Sequence, residues 1–301
     1  MRAQIRFLPD GRRLHLQDGP IDLIVEAFGA AAEVAVAYEA ATRRFVHVLD
    51  ELCAELPLLR QQVRHEGPRP AGRVAQRMTT AVMPYARRTF ITPMAAVAGA
   101  VAEEILEAMT SAAVLEKAYI NDGGDIALHL APGEQFVVGM VERPDRPSLF
   151  GTTTIDPDLP VRGIATSGWR GRSFSLGIAD AVTVLAESAS GADAAATIIA
   201  NAVDLPGSEK ICRVPARSLA PDSDLGETLV TQRVDDLSEE EVDYALWAGV
   251  TMAESLRLEG LIHAVALCLN GTTRIVRPRR YVTDGRARLE SNDKPGEIIH
   301  A

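Results

Sequence analysis

The stretch KAYINDGGDI, residues 117–126, decides how this part of the chain folds and how closely a ligand can approach it. Two mainly apolar segments flank a turn that contains Asn121, Asp122, Gly123 and Gly124. Asn, Asp and Gly are the residues that tight turns prefer, so the stretch predicts a β-hairpin. The two glycines carry no side chain, and the same turn therefore offers a ligand a bare backbone.

A second segment, ADAAAT at residues 192–197, places a carboxylate and a hydroxyl four residues apart. The pattern predicts a helix over residues 192–203, on which Asp193 and Thr197 share one face. The other residues of that helix are mostly Ala and Ile, and a carboxylate in apolar surroundings is costly unless it is paired or metal-bound. The hypothesis is that Asp193 and Thr197 ligate Mg²⁺, which prefers oxygen ligands. The alternatives are a partly exposed helix face or a helix cap at Asp193.

The segment ATSG, residues 165–168, lies between these two motifs. Thr166, Ser167 and Gly168 could supply hydroxyl or backbone N–H donors to a phosphate, and the alternative is a strand that ends in a glycine turn. A serine nucleophile has no support, because no His or Asp motif accompanies it. Taken with the glycine-rich turn, the oxygen ligands suggest a magnesium-assisted site for a phosphorylated ligand.

The order NxGGD, then TSG, then ADAxAT resembles the FAD:protein FMN transferases, also known as the thiamine-biosynthesis lipoprotein (ApbE) family. The resemblance covers residues 92–203. It implies an ApbE-like fold, FAD or FMN as the ligand and Mg²⁺ as the metal. By this resemblance the metal binds to Asp193 and Thr197, and the flavin nucleotide contacts Asn121, Gly123, Gly124, Asp125, Thr166, Ser167 and Gly168.

The chain departs from this family in the chemistry of transfer. The transferases carry a His-X-X-Asp-Pro element shortly after TSG, and its histidine serves the transfer. Residues 173–182 of this chain contain no histidine, and Asp180 is their only titratable group. Asp180 is therefore the candidate catalytic residue and a candidate second carboxylate at the site, although it could simply end a strand pair. His129, the only histidine near a proposed site, fits a strand surface better.

Two classes of function follow from this comparison. The first is a Mg²⁺-dependent flavin-nucleotide protein, either a divergent FMN transferase or a related flavin enzyme. The second is a non-catalytic flavin-binding or accessory protein that serves a redox or sulfur-assimilation pathway. The expected partners are a flavin nucleotide and, in the second case, a redox or sulfur-pathway protein.

The composition argues against several classes of function. The formal charge of −10 and the aromatic content of 5% argue against nucleic-acid binding, which needs a basic face and stacking platforms. No apolar run reaches the ~20 residues that span a bilayer, and the N-terminus lacks the apolar core of a signal peptide. Three scattered cysteines form no CxxC pair. We expect a cytoplasmic protein without membrane or nucleic-acid partners, and a homodimer is compatible with the sequence.

The order of predicted elements favours an α+β fold with a mixed or antiparallel sheet packed by helices. We expect one domain over residues 1–285 and a polar tail over residues 286–301. No GxGxxG follows a strand, so a Rossmann nucleotide site has no support.

Several local predictions test this fold. The patterns predict hairpins at Asp10-Gly11 and Asn270-Gly271, and a capped helix that begins after Ser238. They also predict a helix over residues 30–63 that breaks near Pro57, a loop over 144–160 and a strand over 175–185. The arginine-rich segment 69–88 fits either a solvated surface or a phosphate-binding loop.

Overall fold

The computed structural model describes residues 2–141, 149–278 and 298–300. The strands are β1 Gln4–Phe7, β2 Leu14–Asp18, β3 Ile21–Phe28, β4 Lys117–Asp122, β5 Asp125–Leu130, β6 Phe136–Val141, β7 Leu149–Ile155, β8 Gly163–Ser167, β9 Ala181–Ala186, β10 Ile211–Pro215, β11 Leu229–Val234, β12 Ala264–Leu269, β13 Thr272–Val276 and β14 Ile298–His300. The α-helices are α1 Ala31–Leu59, α2 Arg73–Val82, α3 Val97–Ala112, α4 Ala189–Ala202, α5 Ala216–Leu219 and α6 Glu239–Leu258, and a 3-10 turn, Pro93–Ala96, precedes α3.

A nine-stranded antiparallel sheet organises the fold, in the order β1-β2-β3-β4-β5-β8-β9-β12-β13. Helices α1 and α3 cover one half of its helical face and bury Phe45 and Ile105, while α4 and α6 cover the other half. A small sheet of β14, β6 and β7 covers part of the opposite face, where Phe136 packs edge-to-face on Tyr119. The predicted α+β class is confirmed.

The sequence motifs meet at one end of the central strands of the large sheet, which we call the sheet edge. The β4–β5 turn lies there, because Asp122 is directly opposite Asp125. The end of β8 lies beside it, since Ile126 pairs with Ile164 and the strands run antiparallel. The start of β9 follows, with Val182 opposite Ser167. Antiparallel pairing therefore brings the NxGGD and TSG segments together, although about 40 residues separate them in the sequence.

The predicted turns and the predicted cap are present. Asn270 and Gly271 both have positive φ, at 47° and 77°, as the two-residue hairpin turn between β12 and β13 requires. Ser238 and Glu241 form the reciprocal hydrogen bonds of a capping box at the start of α6.

Three local predictions are wrong. Helix α1 continues through Pro57, because that proline lies in the last turn, where its missing N–H removes only one helical hydrogen bond. The predicted loop 144–160 contains β7, whose Ile155 is fully buried opposite Phe136. The predicted strand 175–185 begins only at Ala181.

Residues 175–180 form an irregular segment that α4 holds in place. The N–H of Leu176 donates to Asn201 Oδ1 at 2.8 Å, so its hydrogen bond goes to a side chain and not to a strand. Gly177 lies so close to the Ala200 carbonyl that a Cβ would collide with it. These contacts replace the strand pairing that the apolar sequence predicts.

Some elements were not predicted. Helix α2 and the two-stranded sheet of β10 and β11 have weaker patterns, which arginines and prolines interrupt. The predicted tail, 286–301, lies outside the described residues except for β14, which pairs in parallel with β6.

Candidate functional site

The β4–β5 turn places two carboxylates on the helical face of the sheet. Gly123 and Gly124 form the turn with φ values of 66° and 113°, and the Gly124 N–H donates to Asn121 Oδ1 at 2.8 Å. Asp122 and Asp125 flank the turn as directly opposed residues, so their side chains leave the same face of the sheet. Asp122 is buried and Asp125 is half-buried.

Helix α4 brings a third carboxylate to the same place. Ser188 caps this helix by accepting the Gly191 N–H, so Asp193 lies in the second turn and is not the cap. Asp193 Oδ2 accepts a hydrogen bond of 3.1 Å from the Gly99 N–H at the start of α3. Gly99 is required there, because a Cβ would collide with the Ala189 carbonyl of α4.

Burial raises the pKa of all three carboxylates. Burial raises the pKa of Asp193 to about 7, assisted by the charge of Asp122 and opposed by the Gly99 N–H. Burial also raises the pKa of Asp122 to about 7, although the Arg172 guanidinium favours its charged form. The pKa of Asp125 is raised by burial first and then by Asp193 and Asp122. A cation among them would relieve this repulsion.

Thr197 adds a hydroxyl one helical turn beyond Asp193. It is half-buried, and its hydroxyl makes no hydrogen bond with any residue that the structure describes. Helical Thr79 and Thr110 instead donate to the carbonyl four residues earlier. The Thr197 hydroxyl is therefore left for a ligand or solvent.

The side-chain oxygens at this site could bind a hard cation only together with oxygens from water or a phosphate. Within residues 2–141, 149–278 and 298–300, no group of three or more His, Cys, Asp or Glu side chains is arranged to hold a metal ion. Mg²⁺ commonly binds through one or two carboxylates together with water and phosphate oxygens. Asp193 and Thr197, assisted by Asp125, fit that second arrangement.

The TSG segment meets the turn through its backbone. The Thr166 N–H donates to Asp125 Oδ1 at 3.3 Å, while the Thr166 hydroxyl shares a hydrogen bond of 2.9 Å with Thr183. Ser167 is half-buried, and its hydroxyl has no partner in the described part of the chain. The structure therefore brings Thr166 to Asp125 and leaves Ser167 available at the same sheet edge.

Asp180 is engaged in other contacts. Its Oδ1 accepts from Trp169 Nε1 at 3.2 Å and from Arg170 Nε at 2.5 Å, and its Oδ2 accepts the Asn270 N–H at 2.7 Å. These bonds join the loop after TSG to the β12–β13 turn. They support a positioning role for Asp180.

Two histidines are held by contacts with other protein groups. His129 lies on β5 and contacts the Leu115 carbonyl at 3.2 Å. His15 pairs with Asp22 at 2.6 Å. Neither is placed by these contacts as a replacement for the family histidine.

Two residues at the site were not predicted from the sequence. Asp122 was expected only as part of a turn, although strand alternation from the buried Ile120 places it on the helical face. Arg172, which lies 3.9 Å from Asp122 Oδ1, was not expected at the site. Three residues separate Arg172 from Gly168, and no sequence signal connects it with the turn.

The arginine-rich segment 69–88 is largely neutralised. Arg77 pairs with Glu103, Glu104 and Glu107 of α3, and Arg88 pairs with Glu259 at 2.7 Å. An open cleft of about 660 Å³ lies near this segment, but its lining contains none of the predicted site residues. These ion pairs argue for a structural surface.

The structure defines an α+β protein in which Asp193 of α4 lies near Asp122 and Asp125 of the β4–β5 turn. A family model described as AbpE bacteria matches residues 5–275, and the chain belongs to this family. The predicted membership of the ApbE-like superfamily is confirmed. No helix in the described ranges has both the length and the apolar character to cross a membrane.

Archaeal relatives match the chain over part of their length. The UPF0280 protein of Methanopyrus kandleri is 40% identical over 131 residues, which cover 44% of this chain and 49% of that protein. The UPF0280 protein of Methanosphaerula palustris is 33% identical over 165 residues, 52% of this chain and 63% of the relative. The chain spans about half the length of the curated relatives it matches.

Solved structures also match. Flavin transferase ApbE from Vibrio cholerae has a TM-score of 0.49 and 12% identity, covering 91% of this chain and 97% of that one. The ApbE protein from Thermotoga maritima has a TM-score of 0.42 and 13% identity, with coverages of 92% and 96%.

Gly99→Ala is expected to destabilise the protein by roughly 1–3 kcal/mol, because the new Cβ forces α3 away from α4. In an ordinary helix the same change would stabilise by up to about 1 kcal/mol. Urea unfolding measures the difference, with Ala98→Gly as a control for helix propensity. A gain in stability for Gly99→Ala would show that the helices are not in close contact at this point.

Proposed function

We propose that the chain binds a flavin nucleotide, FAD or FMN, together with Mg²⁺ at the sheet edge where β4, β5, β8 and α4 meet. The observation that carries the proposal is the convergence of Asp122, Asp125 and Asp193, whose pKa values are all raised. Because burial disfavours the charged form of each carboxylate, a cation bound beside them would favour ionisation. The family membership supports the flavin as the phosphorylated ligand.

Each residue has a defined task in this proposal. Asp193 and Thr197 would hold Mg²⁺, which when bound neutralises phosphate charge. Asn121 and Asp125 would hydrogen-bond the nucleotide on the side of the turn next to Gly124, where the space is open up to Thr166. Ser167, with the backbone of Thr166 and Gly168, would donate to the phosphate.

The hydrogen bonds that Asp180 accepts favour a second function. Both of its oxygens accept hydrogen bonds from the protein, so the only titratable side chain between residues 173 and 182 is occupied by structural contacts. A flavin-binding or accessory protein without transfer activity accounts for this arrangement. The alternative is a divergent transferase in which Asp180 is released on ligand binding.

Fluorescence titration of FAD and of FMN, with and without Mg²⁺, tests the proposal. We expect binding to tighten by at least about tenfold with Mg²⁺, the equivalent of about 1.4 kcal/mol. Identical isotherms in EDTA and in Mg²⁺, or no binding of either flavin, would contradict it. Release of AMP from FAD would then separate an enzyme from a binder.

The metal-free protein is expected to lose stability as the pH rises from about 4 to about 8. The pKa values of Asp122 and Asp193 are about 7 in the folded state, and a typical Asp in an unfolded chain has a pKa near ~3.9. Both states are protonated below about pH 4, so no penalty exists there. Between about pH 4 and about pH 7 the unfolded chain releases these protons while the folded state keeps them, so stability falls, and the loss is complete above about pH 7, where both states are ionised.

Thermal unfolding in EDTA between pH 4.5 and pH 8 measures this dependence. Asp122→Asn should reduce the loss of unfolding free energy over this pH range by at least about 1 kcal/mol. A difference of one unit between the folded and unfolded pKa values corresponds to ~1.4 kcal/mol. The exposed Asp158→Asn is the matched control. Equal slopes in all three proteins would show that Asp122 carries no buried charge.

A further inference from the structure

Arg172 lies over the glycine turn without a hydrogen bond to hold it there. Its side chain is 65% exposed, and its Nη2 approaches Asp122 Oδ1 at 3.9 Å. No residue in the described ranges accepts a hydrogen bond from it. The guanidinium is thus attracted to the site by charge, while its five N–H donors remain uncommitted to other protein groups.

The turn is built to admit this guanidinium. A Cβ at Gly123 would collide with the Arg172 guanidinium, whereas the space next to Gly124 is open up to Thr166. Gly123 therefore meets two requirements, a φ of 66° and room for a cation above the turn. Together, the two glycines leave one side of the turn covered by Arg172 and the other side free.

Other arginines near the site are fixed. Arg170 donates to Asp180 at 2.5 Å and stacks on Trp169 at 4.3 Å, and Arg44 donates to Glu104 at 2.8 Å. Arg172 differs from both because it has only a long electrostatic contact. A guanidinium with a free planar fork and a weak carboxylate partner suits the two oxygens of a phosphate.

We infer that Arg172 recognises the phosphate of the nucleotide, moving from Asp122 to the phosphate oxygens when the Mg²⁺ complex binds. This inference rests on the proposed function and specifies its ligand class: phosphorylated flavins, with riboflavin excluded. Arg172 supplies a positive charge beside Asp122 that Mg²⁺ would replace when bound, and the guanidinium would then be free to bind the phosphate oxygens.

This exchange predicts two effects of opposite sign for Arg172→Gln. The loss of a charge-assisted fork should weaken FMN binding in Mg²⁺ by about 10- to 100-fold. The loss of a competing positive charge should tighten the binding of Mg²⁺ alone, by about two- to tenfold. Substitution of a residue that only supports the fold would weaken the binding of FMN and of Mg²⁺. Substitution of an ordinary surface residue would change neither affinity.

Calorimetry on the full chain tests the inference with four probes: FMN, riboflavin, Mg²⁺ alone, and inorganic pyrophosphate with Mg²⁺. The variants are Arg172→Gln and Arg172→Lys, which keeps the charge but not the fork. Arg233→Gln is the matched control, because Arg233 is as exposed and has one ion pair, with Asp235. We expect weaker FMN and pyrophosphate binding and tighter Mg²⁺ binding in Arg172→Gln, with Arg172→Lys intermediate, and no riboflavin binding by the wild type or either variant.

The outcomes separate this inference from the proposed function. If the wild type binds FMN with Mg²⁺ but Arg172→Gln binds it equally well, the inference about Arg172 is overturned and the proposed function stands. If the wild type binds no flavin, yet pyrophosphate binding depends on Arg172, the phosphate role is supported and the flavin is the wrong ligand. An equal loss of FMN binding and of Mg²⁺ binding in Arg172→Gln would overturn the inference that Arg172 moves from Asp122 to the phosphate.

Discussion

Replacing Asp193 by Ala is expected to abolish the Mg²⁺-dependent binding of FAD while leaving the fold intact. The carboxylate lies in the second turn of α4, where burial and Asp122 raise its pKa to about 7. Its removal takes away the principal charge that faces the metal. The loss in affinity should exceed the roughly 10- to 100-fold that follows from changing an outer partner of a metal ligand.

The matched comparison is Asp193→Asn, which keeps an oxygen to accept the Gly99 N–H and removes only the charge. Both variants should fail to respond to Mg²⁺ in calorimetry with FAD, while Asp158→Asn behaves as the wild type. Thr197→Val should lose less, since a hydroxyl is a weaker ligand than a carboxylate. Unchanged FAD affinity in both Asp193 variants would disprove the metal assignment.

The second large effect concerns catalysis: transfer of FMN to a target threonine should be weak or absent even when FAD binds. A threonine hydroxyl needs a positioned base at neutral pH, and general-base assistance is worth about 10²–10⁴-fold. The segment 173–182 has no histidine, and Asp180 already accepts hydrogen bonds from Trp169, Arg170 and Asn270. An engaged carboxylate is a poor proton acceptor.

Incubation with FAD, Mg²⁺ and a carrier protein that bears a flavinylation motif, followed by mass spectrometry, measures this activity. Robust addition of FMN would contradict the prediction and direct attention to Asp180. Asp180→Asn should then abolish transfer without weakening FAD binding if Asp180 is the base. A parallel loss of FAD binding and thermal stability would instead identify Asp180 as the anchor of the loop after TSG.

The sequence predicted those parts of the fold that short-range patterns control. The hairpins at Asn121 and Asn270, the cap at Ser238 and the helix around Asp193 each follow from turn chemistry or helical spacing within a few residues. The predictions failed where a distant contact decides the conformation. Strand β7 owes its order to pairing with β6, and residues 175–180 are held out of the sheet by Asn201.

The same distinction applies to the site. Motif order indicated that the glycine turn and the TSG segment belong together, and the Thr166 N–H does donate to Asp125. The contact between Arg172 and Asp122 crosses 50 residues and depends on a loop path that no periodicity encodes. Likewise, the bond from Asn270 to Asp180 joins residues 90 apart. Such contacts become visible only when the sheet order is known.

The phosphorus resonances of bound FAD, recorded with Mn²⁺ in place of Mg²⁺, show whether metal and phosphate share one site. Mn²⁺ accepts the same oxygen ligands and broadens the signals of nuclei close to it. We expect strong broadening of both phosphate resonances in the wild type, and none beyond that of free Mn²⁺–FAD in Asp193→Ala. Phosphate signals that stay sharp while FAD is demonstrably bound to the wild type would contradict a shared metal and phosphate site.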